Sequence, residues 1–221
     1  MVVIALALVV AAAALSVRWL THQRDTFGRE RPFPYLSIGL LGLVAMGAAI
    51  PSYLRHQEET RLSAVASQLV GEPARVHCQT FGQTFTQLDG DLGFVRWGKD
   101  GVPEHQTFIK REQCGDLKSY LKSDKQHPNP DQVVAVHVLT HESMHMRGIT
   151  SEADAECAAM QRDAQTAELL GASPSAAMDL ARTYWQIDYP RMPATYRTLD
   201  CKPGGPLDEH LATAPWGTPT S

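Results

Sequence analysis

Two apolar runs separated by a polar break fill the first fifty residues, and shorter alternations of apolar and polar positions fill the rest. Residues 2–17 are an unbroken aliphatic run ended by Arg18 and Trp19; residues 35–50 carry no charge and are bracketed by Pro34 and Pro51. Each approaches the ~17 to 20 residues that cross a bilayer, the first with the help of Trp19 and Leu20. Two transmembrane helices are therefore predicted over residues 1–52. From Tyr53 to Val70 the pattern turns amphipathic, with Leu54, Leu62, Val65, Ala66 and Leu69 among polar residues, and Gly71 and Pro73 end it. That predicts a helix over 53–72, a helical stalk or an element packed on the domain. Candidate strands follow at 74–80, 84–88, 93–97 and 104–109, with Gly98-Lys99-Asp100-Gly101 as a hairpin turn between the last two. A short helix is predicted around 114–121, and a second begins where Asn129 caps and Pro130 takes the first position. Gly148 is suited to end it in the left-handed conformation, and Ser151 to cap the next, which is predicted to run from Glu152 to Leu170 and stop at Gly171. A last helix is predicted from Ser173-Pro174 to about Ile187. The fold class expected is α+β: a compact domain over 73–201, made of a small sheet, a central helix and a return helix, preceded by two transmembrane helices. An irregular Pro- and Gly-rich tail over 202–221 completes the expectation, and no internal repeat is evident.

Charge and cysteine placement add a compartment. The segment between the apolar runs carries Arg18, Arg24, Arg29 and Arg31 against Asp25 and Glu30. Positive charge in a short loop marks the cytoplasmic side, so everything after Ser52 is expected outside, in a multi-pass membrane protein with an extracytoplasmic domain. A cleaved signal peptide is the alternative for the first run, but no Lys or Arg precedes it. Cys78, Cys114, Cys157 and Cys201 all follow the spans without any Cys-x-x-Cys spacing, so two disulfides are expected in an oxidising compartment. Of the three pairings we favour Cys78 with Cys114 and Cys157 with Cys201; four buried thiols would instead undermine the topology. A net charge of -4 with scattered basic residues gives no sign of a nucleic-acid partner.

The chemistry centres on His141-Glu142-Ser143-Met144-His145. Four residues is slightly more than one helical turn, so His141 and His145 stand one above the other and can reach one zinc ion. Glu142 points beside the pair, where it can take a proton from the attacking water rather than bind the metal. Val133, Val134, Val136, Val138 and Leu139 supply the apolar body that fixes this helix. The return helix brings Glu152 and Glu156, also four apart, to the level of the histidines. One of them can complete the metal site while the other orients an imidazole; we favour Glu152 as ligand and Glu156 as orienting group or alternative ligand. His137 extends the series, but eight residues span ~12 Å along a helix, too far for three histidines to share one ion, so it is assigned to the cleft wall or to packing. His22, His56, His127 and His210 sit in polar or Pro-rich contexts, and His77 and His105 on candidate strands, with no second metal spacing among them.

Over residues 133–160 the chain resembles the gluzincins, zinc metallopeptidases with a His-Glu-x-x-His helix and a Glu ligand on a downstream helix. Glu152 followed by Ala155 and Glu156 resembles their Glu-x-x-Ala-acid variant, although the link from His145 is much shorter than in most gluzincins and the later acid is Glu rather than Asp, which leaves Glu152 and Glu156 open as ligands. The layout also resembles small membrane-anchored metallopeptidases of actinobacteria. The resemblance implies a zincin-like domain, a Zn2+ cofactor, a peptide or protein substrate, and a substrate lying extended along an edge strand, here 104–109. The expected reaction is peptide hydrolysis with Glu142 as base and an oxyanion donor among Tyr184, Tyr189, Tyr196, Arg182 and His137. The alternative is a membrane-tethered zinc-binding interaction or assembly protein with a structural or silent metal site.

Overall fold

The computed structural model describes residues 2–24, 27–30, 32–80 and 92–216. The strand expected over 84–88 lies outside them, as do Asp25 and Arg31 of the basic loop. The chain divides into two units, Met1–Gln57 and Glu58–Ser221. Helix α1 (Val2–Thr21) and the first part of α2 (Tyr35–Val70) form the first unit. Both are long and apolar enough to cross a membrane, with mean hydropathy of 2.3 and 1.7 over their most apolar windows. Near their junction Trp19 meets Phe33 edge-on at 4.9 Å, and Arg24 pairs with Glu30 through the backbone.

The stalk expectation is corrected. α2 runs without a break through Pro51, which removes a single N–H from a 36-residue helix, and Ser52 Oγ bonds the Ala48 carbonyl. Its final turns belong to the core of the second unit, with Leu62, Val65, Ala66 and Leu69 all buried. The polar positions of those turns close a sheet edge. Glu59, Ser63 and Ser67 accept from the backbone N–H groups of Cys78, Val76 and Ala74 at 3.0, 2.9 and 2.9 Å. Four helical residues rise about 6 Å and two strand residues about 6.6 Å, so the helix side chains keep step with alternate strand amides running the other way. An edge that would otherwise be open to pairing is covered.

The three strands are β1 (Arg75–Cys78), β2 (Gly93–Trp97) and β3 (Pro103–Ile109), in the order β1-β3-β2. β3 is parallel to β1 and antiparallel to β2, the latter joined by the expected turn, where Gly101 takes a positive φ of 76°. This corrects the edge-strand expectation: residues 104–109 lie in the centre of the sheet, with both sides already paired, and β2 is the strand nearer the site.

Helix α3 (Arg111–Lys122) leads to α4 (Pro130–Met146), whose start is a reciprocal box: Asn129 Oδ1 accepts from the Gln132 N–H at 2.9 Å and Gln132 Oε1 from the Asn129 N–H at 3.0 Å. α4 is the central helix. From Val133 to Met146 every residue but Val134 is buried, among the sheet, α3 and the later helices. Gly148, at φ 97°, ends the α4 segment, and Ser151 caps α5 (Glu152–Met160). The single return helix expected over 152–170 is broken at Gln161-Arg162, and α6 (Asp163–Leu169) resumes beyond it. α7 (Pro174–Thr183), capped by Ser173, passes into a wider turn over Tyr184–Asp188 and then two short 3-10 turns, Tyr189–Arg191 and Ala194–Tyr196.

The disulfides are Cys78–Cys114 and Cys157–Cys201, the favoured pairing. Residues 202–216 are irregular, as expected of the tail, yet pinned rather than loose. Buried Gln161 donates to the Leu207 carbonyl at 2.9 Å and accepts from the Glu209 N–H at 2.8 Å. Arg162 makes a two-pronged ion pair with Glu209, both contacts 2.6 Å.

Candidate metal centre

Three side chains on α4 and α5 converge at one point. His141 Nε2 and His145 Nε2 are 3.0 Å apart, and Glu152 Oε2 lies 3.1 Å from the first and 3.3 Å from the second. Helical spacing stacks the two imidazoles, and the five-residue link after Met146 turns α5 back so that its first residue faces them. Nitrogen and oxygen donors held at ~2.0–2.1 Å around a tetrahedral ion stand about 3.3 Å from each other. The observed triangle fits that geometry, and two imidazoles with one carboxylate form a donor set suited to a divalent metal. These three residues form one group that could hold a metal ion, and His137, His141 and Glu156, all buried, form another.

The tautomers follow from the neighbours. His145 Nδ1 lies 2.7 Å from the Ile149 carbonyl, which can only accept, so Nδ1 carries the proton and Nε2 presents a lone pair to the centre. The short link thus aims His145, a role invisible in the sequence of Ile149. His141 Nδ1 is 3.0 Å from Glu156 Oε2, although the oxygen lies off the N–H direction, making this an electrostatic contact before a directed hydrogen bond.

Behind His141 is a buried polar cluster. Glu156 Oε2 also meets His137 Nε2 at 3.0 Å, while its Oε1 accepts from the Tyr184 hydroxyl at 2.7 Å. His137 Nδ1 meets Asp163 Oδ2 at 2.9 Å, and the ring stacks on Tyr184 with centroids 3.6 Å apart. Burial opposes protonation of His137, but the carboxylates of Asp163 and Glu156 outweigh it and raise its pKa to about 10. For metal-free His141 burial again opposes, and contacts to Glu152 and Glu156 raise the pKa to about 9. Burial would push the Glu156 carboxyl up, yet His137 and His141 hold it far below the usual carboxylate range. Glu152 is lowered by its contact with His141, against partial burial.

Glu142 projects toward the sheet. Its Oε2 lies 3.3 Å from Thr107 Oγ1 on β3, a hydroxyl also 3.1 Å from the Phe94 carbonyl. On β2, a Cβ built on Gly93 would stand 2.7 Å from Glu142 Oε1, so the carboxylate occupies space that only glycine leaves. Glu142 and the converging ligands line one cavity of about 890 Å³, bounded also by β2 and the turns after α7.

No protein-family model, curated protein or solved structure matches this chain. The site is therefore read from its own geometry. His141, His145 and Glu152 are together as expected, Glu156 stands behind His141, and His137 is buried beside Glu156, a member of the second group and not of the first. Of the oxyanion-donor candidates, Tyr196 lines the cavity with its ring centroid 5.8 Å from that of His141. Tyr184 faces the cavity too, but its hydroxyl is bonded to Glu156; Tyr189 is bonded to Thr198 and Arg182 approaches Asp179 at 3.9 Å, both away from the lining. Sequence reasoning missed Gly93, Thr107, Asp163 and Arg191, the last of which also lines the cavity. Asp163 alone carried a signal: at the spacing of a helix it shares a face with Glu152 and Glu156.

Proposed function

We propose that this protein is a membrane-anchored, zinc-dependent metallopeptidase whose hydrolytic domain lies outside the cytoplasm. One observation carries the reading: the donors of His141, His145 and Glu152 converge at the wall of the same cavity that the Glu142 carboxylate enters. A small sheet, a central His-Glu-x-x-His helix and a return helix carrying the third donor support a zincin-like fold. A bound Zn2+ would supply Lewis acidity, polarising the substrate carbonyl and lowering the pKa of water toward ~7. Glu142, held by Thr107 and by the space over Gly93, accepts the proton of the attacking water and passes it to the leaving amine. Tyr196 and Arg191, which line the cavity, are the candidates to donate to the developing oxyanion. β2 and α4 give the cavity partly apolar walls, and its volume of about 890 Å³ has room for several residues of an extended peptide. Two apolar helices and two disulfides support the membrane anchor and the oxidising side.

The test uses the full chain in detergent. Elemental analysis after dialysis is expected to give one zinc per chain, strongly reduced in His141→Ala and His145→Ala, and a peptide library is expected to be cleaved. Glu142→Gln should keep the metal and lose cleavage by about 10²-fold or more. Wild-type protein that holds zinc and cleaves nothing would favour the tethered binding protein instead.

A further inference from the structure

The histidines of α4 and the acids of the following helices form a ladder that continues past the metal centre. His145 faces Glu152, His141 faces Glu152 and Glu156, and His137 faces Glu156 and Asp163. The outer rungs make the candidate metal site, but the innermost rung is almost wholly buried: His137, Glu156 and Asp163 are 3%, 1% and 0% exposed. Burying two carboxylates in a small domain is costly unless their partners fix them. Asp163 has one hydrogen-bond partner among the described residues, His137, and its Oδ1 has none. A buried carboxylate with half its capacity unused needs a reason beyond packing.

The geometry supplies one. Glu156 is gripped at both oxygens, by Tyr184 on Oε1 and by His137 on Oε2, so its carboxylate cannot rotate away from His141 Nδ1. His137 is itself fixed, by Asp163 at its other nitrogen and by the Tyr184 ring across its face. We infer that His137 and Asp163 are positioning residues: acting through Glu156, they set the ring of His141 from behind, and so the direction in which its Nε2 meets the metal. The break at Gln161-Arg162 begins α6 at Asp163, which places that carboxylate at a helix start, buried and turned to α4.

This inference rests on the metal-centre reading, and its test separates the two. The probes are Zn2+, in competition titrations on the full chain in detergent, and the downfield imidazole N–H signals of the metal-free protein. Asp163→Asn and His137→Gln are expected to weaken zinc binding about 10- to 100-fold, the range seen when partners of ligating histidines are removed. Both should also shift or lose the His141 Nδ1–H signal. Thr140→Val is the control, because Thr140 is equally buried on α4 and bonds Thr166 of α6 at 2.8 Å without touching the ladder; it should lower Tm and leave zinc affinity and the imidazole signal alone. Unchanged affinity and signal in Asp163→Asn and His137→Gln, or an equal loss in Thr140→Val, would overturn the positioning role. So would a second equivalent of zinc in wild type that disappears in His137→Gln, which would make the inner cluster a metal site in its own right. If wild type takes up no zinc, the hydrolase reading fails, and the imidazole signal alone decides: sensitivity to Asp163→Asn upholds the positioning role, indifference overturns it.

Discussion

At the scale of single residues, the site depends on atoms that are absent as much as on those present. Gly93 makes no contact a sequence reader would notice, yet its missing Cβ leaves the space where Glu142 Oε1 sits. In Gly93→Ala the far end of the Glu142 side chain gives way more cheaply than the strand does. Stability and zinc content should therefore hold, while kcat/KM falls by about 10²-fold, the usual contribution of a placed base. Parallel measurement of zinc content, Tm and hydrolysis checks this, and wild-type activity in Gly93→Ala would show that the Glu142 carboxylate is not tightly placed. His141, Glu142 and His145 were legible because helical spacing alone brings them together, and Glu152 because Gly148 and Ser151 mark the turn that leads back to them. Thr107 and Gly93 were not, because they reach the site from other elements, 35 residues away in the case of Thr107 and Glu142; Tyr184 was expected as an oxyanion donor, and its bond to Glu156 was not readable.

At the scale of elements, α4 and α5 assign different duties to two glutamates one turn apart. Glu152 Oε2 touches both ligand nitrogens and its side chain is 43% exposed; Glu156 is buried and bonded to His137 and Tyr184. Glu152→Ala should abolish most zinc binding and leave the metal-free protein as stable as before. Glu156→Ala should lose less affinity, ~10 to 100-fold, but cost roughly 1–3 kcal/mol of stability, since it leaves the buried Tyr184 hydroxyl and one nitrogen of His137 without a partner. A zinc competition titration paired with denaturant unfolding reads both, and the reverse pattern would exchange the roles. Helix starts at Asn129, Ser151 and Ser173 were readable because a capping side chain is a local device. The break at 161–162 was not, since what occupies it arrives from residues 207–213. Nor was the continuity of α2: Pro51 and the polar run after it suggested a separate stalk, and only the amides of β1 explain why Glu59, Ser63 and Ser67 recur every turn.

At the scale of the whole molecule, compartment and covalent structure must agree. Closing loops of 36 and 44 residues, the two disulfides each stabilise by about 4 kcal/mol in chain-entropy terms. Thiol labelling of intact cells should leave Cys78, Cys114, Cys157 and Cys201 unmodified until a reductant is added, and external protease should reach the domain. Free thiols, or protection until lysis, would place the domain in the cytoplasm. The apolar runs and the cysteine placement were legible for a physical reason: both are demands of the surroundings, written locally, whereas strand order needs contacts across the fold.

Gln161 joins these scales. Its amide donates to the Leu207 carbonyl and accepts from the Glu209 N–H, and its backbone carbonyl accepts from the Thr213 hydroxyl, 46 to 52 residues further along, at the point where α5 gives way to α6. A chain threaded outward from its first residue delivers those partners last. Under the proposed topology Gln161 gains these partners only once that late stretch has crossed, so the helices carrying Glu152, Glu156 and Asp163 are braced against each other by the part of the domain that leaves the cytoplasm late.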